Sequence, residues 1–590
     1  MAASGSSATA READGQKELV AAEDKTQVTV KRGVRFWGTF VALCCLSFIS
    51  ALDVAIVTTA LPTVTAAIGG AEQYVWIANS FVVASCVLQP LFGQLADVFG
   101  RRRPFIASVV LFTLGSGIAG GAKDAAMLIA GRAVQGAGAG GIVVMLDIVC
   151  CDLVPLRERG KYLGLMFSWS GVGAALGPPV GGALAEANWR WMFYMNIPIC
   201  GVALAFLLLF MRFKTGTAAT EHRGIGAKFR RLDIIGNLIF TSSMISLLIG
   251  LVQGGTDEQH EWSSFRIIVP IVLGVAGWAA FHVHQAVLAP FPSVPPRLFT
   301  NRTSAIAYGL TFTSSVVLQA TAYFFPVYLQ AVQGTTVLES GTYFLPFALS
   351  SLVFAVLAGI LLSTFGAYRP LHAAAFALSS LAFGLFTLLD GSTSKVAWVW
   401  YQLIAAAGSG LVMSTLLPAL MASLPESHVA SASATYSFFR TFGYVWGVTL
   451  PGIIFNAAVG SNLESISDPT LRAQMADGAA YSFASAVHGL RRDGALGPVA
   501  FQQMTDVYSE SLRVIWWLCL GISLVSLLAV PVMRGLELRK ELETEYGLDD
   551  GVKVNGVGSS SSDEEVGRAE EKVKVDGVVQ CRVVSEPNSA

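Results

Sequence analysis

The chain is 590 residues long, 53% hydrophobic and only 13% charged, with a mean hydropathy of +0.59. A soluble protein carries about 25% charged residues, and so little polar surface could not coat several globules of this total length. With 39 basic and 40 acidic residues the chain lacks the positive excess of a nucleic-acid binder; its composition is that of an integral membrane protein.

Residues 1–35 are rich in Glu, Asp, Lys, Ser and Gly and read as a disordered tail. A membrane-crossing helix needs about 20 mostly apolar residues. Runs of that kind lie at 37–61, 76–95, 105–122, 125–148, 162–185 and 193–212, followed by a polar linker at 213–232. A further pair, 233–253 and 266–285, is followed by a second linker at 286–304. The last six runs lie at 305–330, 342–364, 371–389, 396–420, 434–457 and 513–533. A long loop at 458–512 separates the final two, and residues 534–590 read as a second disordered tail. The expected fold class is an all-α polytopic membrane protein with fourteen transmembrane helices.

The first run follows a long polar stretch and has no small-residue cleavage site, so it is expected to act as an uncleaved insertion signal. Seven of the eight cysteines lie in or beside apolar runs without CxxC or zinc-type spacing, and read as small buried hydrophobes. An even number of crossings puts both tails on one side. Short loops on that side carry Arg101, Arg102, Arg103, Arg157, Arg159, Lys161, a cluster from Arg212 to Arg231, Arg297, Arg302 and Arg369. The opposite short loops hold only Lys123, Arg190, Arg266 and Lys395. Basic residues stay inside, so both tails are expected to be cytoplasmic and the 458–512 loop to face outward. The sequon at Asn301 then falls on the cytoplasmic side and should be unmodified.

An internal repeat is visible. Gly93 and Gly100 precede Arg103-Pro104, and Gly359 and Gly366 precede Arg369-Pro370 with the same spacing, 266 residues on. Arg132, Gly138 and Gly140 likewise match Gln402, Gly408 and Gly410. Two related halves with a pair of helices between them indicate a two-bundle transporter rather than a receptor or channel.

The segment Gly93-Gln94-Leu95-Ala96-Asp97-Val98-Phe99-Gly100-Arg101-Arg102-Arg103 resembles the loop signature of the major facilitator superfamily. Leu52-Asp53-Val54-Ala55-Ile56-Val57, with Ala60-Leu61-Pro62, resembles the first-span signature of its fourteen-span drug:proton antiporters. Arg132-Ala133-Val134-Gln135-Gly136-Ala137-Gly138 is similar to the fourth-span motif, and Gly173 to Gly182 to the fifth-span antiporter motif. Trp189-Arg190-Trp191-Met192-Phe193, with Asn196-Ile197-Pro198, is also similar to the fourteen-span branch. The resemblance covers roughly residues 36–535 and is strongest to fungal toxin and multidrug exporters. It implies two six-helix bundles, 36–212 and 305–533, with 233–285 as accessory helices.

A charge in mid-span costs at least about 2.5–3.5 kcal/mol on insertion scales, which makes Asp53 a functional candidate. At 1.5 Å per residue it lies about 12 Å, and Arg132 roughly 10 Å, below the outer ends of their spans. The two can meet at one level. Protonation of Asp53 would then free Arg132, a coupling mechanism; a static pair that only fixes helix packing is the alternative. Gly93 permits close helix approach, Gly100 a tight turn, and Asp97 can hold an opposing helix N-terminus. The resemblance implies that these residues, with Arg101, latch the halves at the cytoplasmic side.

Gly173, Gly177 and Gly181 form a flat stripe at four-residue spacing, and Pro178 adds a bend. The resemblance implies that this packing favours exchange over uptake. Gly136 to Gly141 fits GxGxxG, but it lies in an apolar span without the strand a dinucleotide site requires. Neither a cofactor nor a metal is expected, since Walker A, HExxH and GxSxG patterns are absent from the sequence. Arg440 is placed either to snorkel to the surface or to meet the second-span cluster.

Asn79, Gln319 and Tyr323 are polar or aromatic groups within spans and are candidates for the substrate cavity. Few deep charges accompany them, which favours an amphiphilic organic substrate over an inorganic ion. The expected function is proton-coupled efflux of such a compound, a toxin, secondary metabolite or drug, across the cell membrane or a vacuolar membrane. The chain's partners are then the substrate, protons and the lipid bilayer. Proton-coupled uptake of an organic substrate or iron chelate is the alternative; a non-transporting scaffold and a membrane enzyme fit the residues less well.

Overall fold

The computed structural model describes residues 33–68, 74–212, 225–256, 264–476, 478–494 and 496–540. The tails at 1–32 and 541–590 and most of the first linker therefore lie outside the described residues. Among those described, every regular element is helical. The long helices are α1 (Val34–Ile68), α2 (Tyr74–Val87), α3 (Gln89–Phe99), α4 (Arg102–Gly120), α5 (Ala125–Leu153), α6 (Leu156–Asn188) and α7 (Asn196–Phe210). The accessory pair is α8 (Ile234–Thr256) and α9 (Phe265–Val283). The second set is α10 (Arg302–Val327), α11 (Val337–Phe365), α12 (Arg369–Phe386), α13 (Lys395–Met413), α14 (Val429–Asn462) and α15 (Pro498–Ala529).

Local chemistry sets several boundaries. Asp124 accepts from Met127 N at the start of α5, and Thr336 with Glu339 forms a reciprocal capping box at the start of α11. α2 and α3 form one run bent by 42° at Leu88. Pro90 lacks an amide hydrogen and clashes with the preceding turn, which accounts for the bend.

Among the described residues eleven helical segments are long and apolar enough to cross a membrane, and the bent α2–α3 pair makes a twelfth. The two other sequence runs are also helices, but α6 is diluted by glycine and α12 opens on Arg369, Pro370 and His372. Fourteen crossings require these two to span as well. The last helix begins at Pro498, well before the apolar run at 513, because Pro is suited to a first helical position and the intervening Gln502, Gln503 and Glu510 are sound helix formers. The loop between α14 and α15 folds into short helical pieces. The first residues of the expected C-terminal tail are also held. Arg534 N donates to Thr303 Oγ1 at 3.1 Å, Leu536 N to Tyr368 Oη at 3.1 Å, and Arg157 N to the Arg539 carbonyl at 3.1 Å.

The repeat extends to the packing. A Cβ on Gly138 would overlap Phe112 and the Ser108 carbonyl on α4; one on Gly408 would overlap Ser379 and the Ala375 carbonyl on α12. Gly140 faces the Ser85 carbonyl as Gly410 faces that of Ser351. Gly173 and Gly177 close on Phe48 and Ala55 of α1, while Gly443 and Gly447 close on Phe312 and Gln319 of α10. Lipid supplies no hydrophobic drive between helices, so such close backbone approach is what holds them.

The two sets meet where α6 packs on α11 and where α3 and α5 pack on α14. Gly359 abuts Gly160 at the first seam, and Gly93 abuts Ala430 and Ala434 at the second. Both seams end among basic residues. Arg157 donates to the Ser363 and Thr364 carbonyls at 2.8 and 2.7 Å, and Arg159 pairs with Glu426 at 3.1 Å. We call this the basic end.

A Cβ on Gly136 would enter the Phe81 carbonyl. Gly136→Ala should therefore cost about 1–3 kcal/mol through overpacking, read as a lowered midpoint in thermal unfolding of detergent-solubilised protein. A Cβ on Gly117 meets nothing within 4 Å. Gly117→Ala should be neutral or gain up to about 1 kcal/mol from helix propensity.

Candidate functional site

Asp53 on α1 is 1% exposed and Arg132 on α5 is 2% exposed. Arg132 Nη1 reaches Asp53 Oδ2 at 2.7 Å. The other carboxylate oxygen accepts from Gln135 Nε2 at 2.7 Å and from Asn196 Nδ2, at the start of α7, at 2.6 Å. Gln135 Oε1 in turn accepts from Arg132 Nη1 at 2.7 Å. Ser116 Oγ on α4 accepts from Gln135 at 2.9 Å and from Asn196 at 3.3 Å. The Arg132 guanidinium lies over the Phe81 ring, 4.2 Å from its centroid. A buried carboxylate thus receives three donors from two neighbouring helices, one of them charged, which is the condition for holding it ionised away from water.

The three amide and hydroxyl members were not singled out by sequence, although Gln135 and Asn196 lie inside quoted motifs. Each is a polar side chain in an apolar run, and that was the available signal. Two atoms of the cluster remain without a hydrogen-bond partner among the described residues, Arg132 Nε and Asn196 Oδ1.

At the basic end Arg101 is 4% exposed. Its Nε donates to Asp152 at 2.8 Å, and its Nη1 donates to the Ala96 carbonyl at 2.8 Å and to Asp97 at 3.1 Å. Among the described residues Arg101 is the hydrogen-bond partner of Asp97, so the cluster ties the end of α3 to the end of α5. Gly100 has φ +79°, a conformation that side-chain-bearing residues rarely adopt, and its repeat partner Gly366 has φ +71°. Of the motif's two glycines, Gly93 faces the other helix set, against α14, while a Cβ on Gly100 would meet nothing within 4 Å. Gln94 docks the accessory pair: its Oε1 accepts from Asp233 N at 3.1 Å and Asn237 Nδ2 at 2.9 Å, and its Nε2 donates to the Phe291 carbonyl at 2.9 Å.

The glycine stripe lies on α6, which is helical through 173–181. Gly173 and Gly177 bring α6 against α1 on either side of Asp53, and Gly181 is buried. The side chain of Pro178 lies outside the described residues. The glycines from Gly136 to Gly141 sit inside α5, where Gly136, Gly138, Gly140 and Gly141 face Phe81, Phe112, Ser85 and Phe92.

The Major Facilitator Superfamily model matches residues 43–448. The chain belongs to the Major Facilitator Superfamily. It is 44% identical over 531 residues to the MFS efflux transporter aclA of Aspergillus oryzae, covering 89% of this chain and 94% of that one. It is 42% identical over 530 residues to the MFS-type transporter gkaD of Penicillium citrinum, covering 90% and 89%. The Acurin A biosynthesis cluster MFS-type transporter of Aspergillus aculeatus is 38% identical over 520 residues, covering 88% and 92%. Among solved structures, the human organic anion transporter MFSD10 superposes with a TM-score of 0.54 at 13% identity, covering 84% of this chain and all of that one. The last likeness shows the fold. Membership makes this chain a multi-pass membrane transporter rather than an enzyme.

Within this superfamily fold the three residues chosen for the substrate are not gathered in one described pocket. Asn79 on α2 and Gln319 and Tyr323 on α10 are each half-buried. A described cavity lies instead inside the second set, lined by Thr313, Ser314, Thr321, Ser379, Ser409 and Ser523 among others, with about 20 Å³ of free volume. That holds about one water and no organic molecule. Arg440 neither snorkels nor meets the second-span cluster. It pairs with Asp147 of α5, a buried acid that sequence reading overlooked, at 3.2 Å.

Arg132→Gln should leave Asp53 buried without its counter-charge, at a cost of about 3–5 kcal/mol. Asn196→Leu removes one neutral donor and should cost about 1–3 kcal/mol. In an unfolding series, the Asp53→Asn/Arg132→Gln double variant should be more stable than Arg132→Gln alone.

Proposed function

We propose that the chain is a proton-coupled exporter of an amphiphilic organic compound, working by alternating access. The observation that carries this reading is the Asp53 cluster. It is a carboxylate sealed from water, held by one cation and two amides, with a charge that a single proton would cancel. Protonation removes the attraction to Arg132 and turns an acceptor into an O–H donor. Asn196 Oδ1 has no hydrogen-bond partner among the described residues, and a turn of that amide, whose Nδ2 now donates to Asp53, would let it accept the new hydrogen. Deprotonation restores the pair. A group that changes its bonding partners with one proton is what coupling requires.

The remaining assignments follow from the same reading. Residues 36–212 and 305–533 form the moving halves, with 233–285 fixed to the first through Gln94. The basic end is cytoplasmic, as are both termini, because arginine and lysine gather there. Gly93, Asp97, Gly100 and Arg101 gate that end. Gly173, Gly177, Pro178 and Gly181 keep α6 tight against the proton site, which limits leak. Asn79, Gln319 and Tyr323 contribute to the substrate path. Export rather than uptake is supported by relatives named as efflux transporters, and a secondary-metabolite cargo by the biosynthesis-cluster name of one relative.

Cells expressing the chain should accumulate less of some fluorescent amphiphiles than control cells, and an uncoupler should abolish the difference. Asp53→Asn should reach the membrane at normal levels yet lose the uncoupler-sensitive efflux entirely. Retained gradient-dependent efflux in that variant would sink the assignment, and raised accumulation by the unaltered chain would reverse the direction.

A further inference from the structure

Among the described residues four acidic side chains are buried: Asp53, Asp147, Asp152 and Asp233. Three are compensated within the part of the molecule that carries them. Arg132 serves Asp53 and Arg101 serves Asp152, both from the first set. Asp233 is held by Gln285 and by Gly236 N at 2.8 Å, both within the accessory region.

Asp147 is different. It sits on α5 and is fully buried, yet both of its donors come from α14 of the opposite set. Ser437 Oγ donates to Oδ2 at 2.7 Å and Arg440 Nη2 to the same oxygen at 3.2 Å. Among the described residues Asp147 Oδ1 and Arg440 Nη1 have no hydrogen-bond partner. The Arg440 guanidinium is flanked by the rings of Phe167 and Tyr436, each 5.2 Å from it. The groups that face Asp147 are Arg440, Tyr436 and Tyr444 from α14, with Cys150 and Cys151 on its own helix.

Nearby, Gln89 Nε2 of α3 donates to Thr441 Oγ1 of α14 at 3.0 Å, so this seam is polar at one level and glycine-packed at the next. Any movement that parts α14 from α3 and α5 strips Asp147 of both donors at once. Its own helix then offers only thiols. Counting about 1.5 Å per residue, it lies some 9 Å in from the end of α5 at Leu153.

We propose that Asp147 is a second protonation site of the transport cycle, taking up a proton when the two helix sets part at the basic end and releasing it when Arg440 returns. This rests on the alternating-access reading above. The step adds one proton from solvent at that end to the carboxylate, giving a neutral carboxylic acid, while Arg440 keeps its charge and is hydrated by incoming water. Closure re-forms the ion pair and returns the proton to the same solvent. The site therefore sets the pH at which the basic end opens and adds no proton to those Asp53 carries. Acid at that end favours opening.

Cys150 and Cys151 are buried beside the pair and report opening through their reaction with a maleimide. The purified full-length protein is labelled across a pH series and the peptide quantified by mass spectrometry. The Asp147 charge also acts on both thiols, so each form's thiol reactivity is measured on the same chain in denaturant and divided out before the ratio to Asp147→Asn is taken. In the unaltered chain that ratio should rise as pH falls, by up to about tenfold per pH unit, the limit for one linked proton. Asp147→Asn should label faster at neutral pH.

Ser437→Ala, a milder change, removes a hydrogen bond to the ionised form only. It should keep the slope and move it to higher pH. A flat ratio for the unaltered chain, or an unmoved slope in Ser437→Ala, overturns the proposal even if Asp147→Asn does not fold. Asp53→Asn separates the two readings: it should keep the labelling slope while losing efflux. If it keeps both, the coupling assignment of Asp53 falls and the Asp147 site stands.

Discussion

A carboxylate withdrawn from water needs donors, and the place those donors come from decides which parts of the molecule can move. Asp53 and Asp152 draw theirs from helices of the same set, so their pairs lie wholly within that set. Arg159–Glu426 and Arg440–Asp147 are divided between the two sets and hold only while the seam is closed. Glu426 is 17% exposed at the side chain and is rehydrated cheaply on separation; Asp147, at 1%, is not. Removing a buried charge from its partner costs far more than removing an exposed one. The distribution of ion pairs thus separates pairs internal to one helix set from pairs that join the two.

The other determinant is how closely backbones approach. At several helix contacts a glycine on one side meets backbone on the other: Gly138 with Phe112, Gly173 with Phe48, Gly359 with Gly160. The matching contacts in the second set, Gly408 with Ser379 and Gly443 with Phe312, occupy equivalent places. The two sets are built on one packing scheme, while their polar equipment differs. Arg132 in the first corresponds to Gln402 in the second, which donates to the Tyr343 carbonyl at 3.1 Å and binds no carboxylate. The first half carries an ion pair at this level and the second a neutral amide.

Much of this was legible in the sequence because it depends on residue type and spacing alone. Long apolar runs gave the helices, glycine spacing gave the repeat, and a lone acid in an apolar run gave Asp53. What sequence did not show depended on contact at a distance. Asp147 stands near the end of its run, where a charge reads as surface, and only α14, some 290 residues on, turns it into a buried pair partner. Gln135 and Asn196 were passed over because amides within spans are common and their convergence needs three dimensions. The start of α15 was hidden for the opposite reason: its first turns are polar, and helicity outside the bilayer leaves no hydropathy signal.

The strap formed by residues 534–540 crosses the basic end, touching α10 and α12 on one set and the start of α6 on the other. It is the point from which the last 50 residues of the chain depart. The strap is in this sense a stitch across the two sets, so a substitution within residues 534–540 acts on both of them at once.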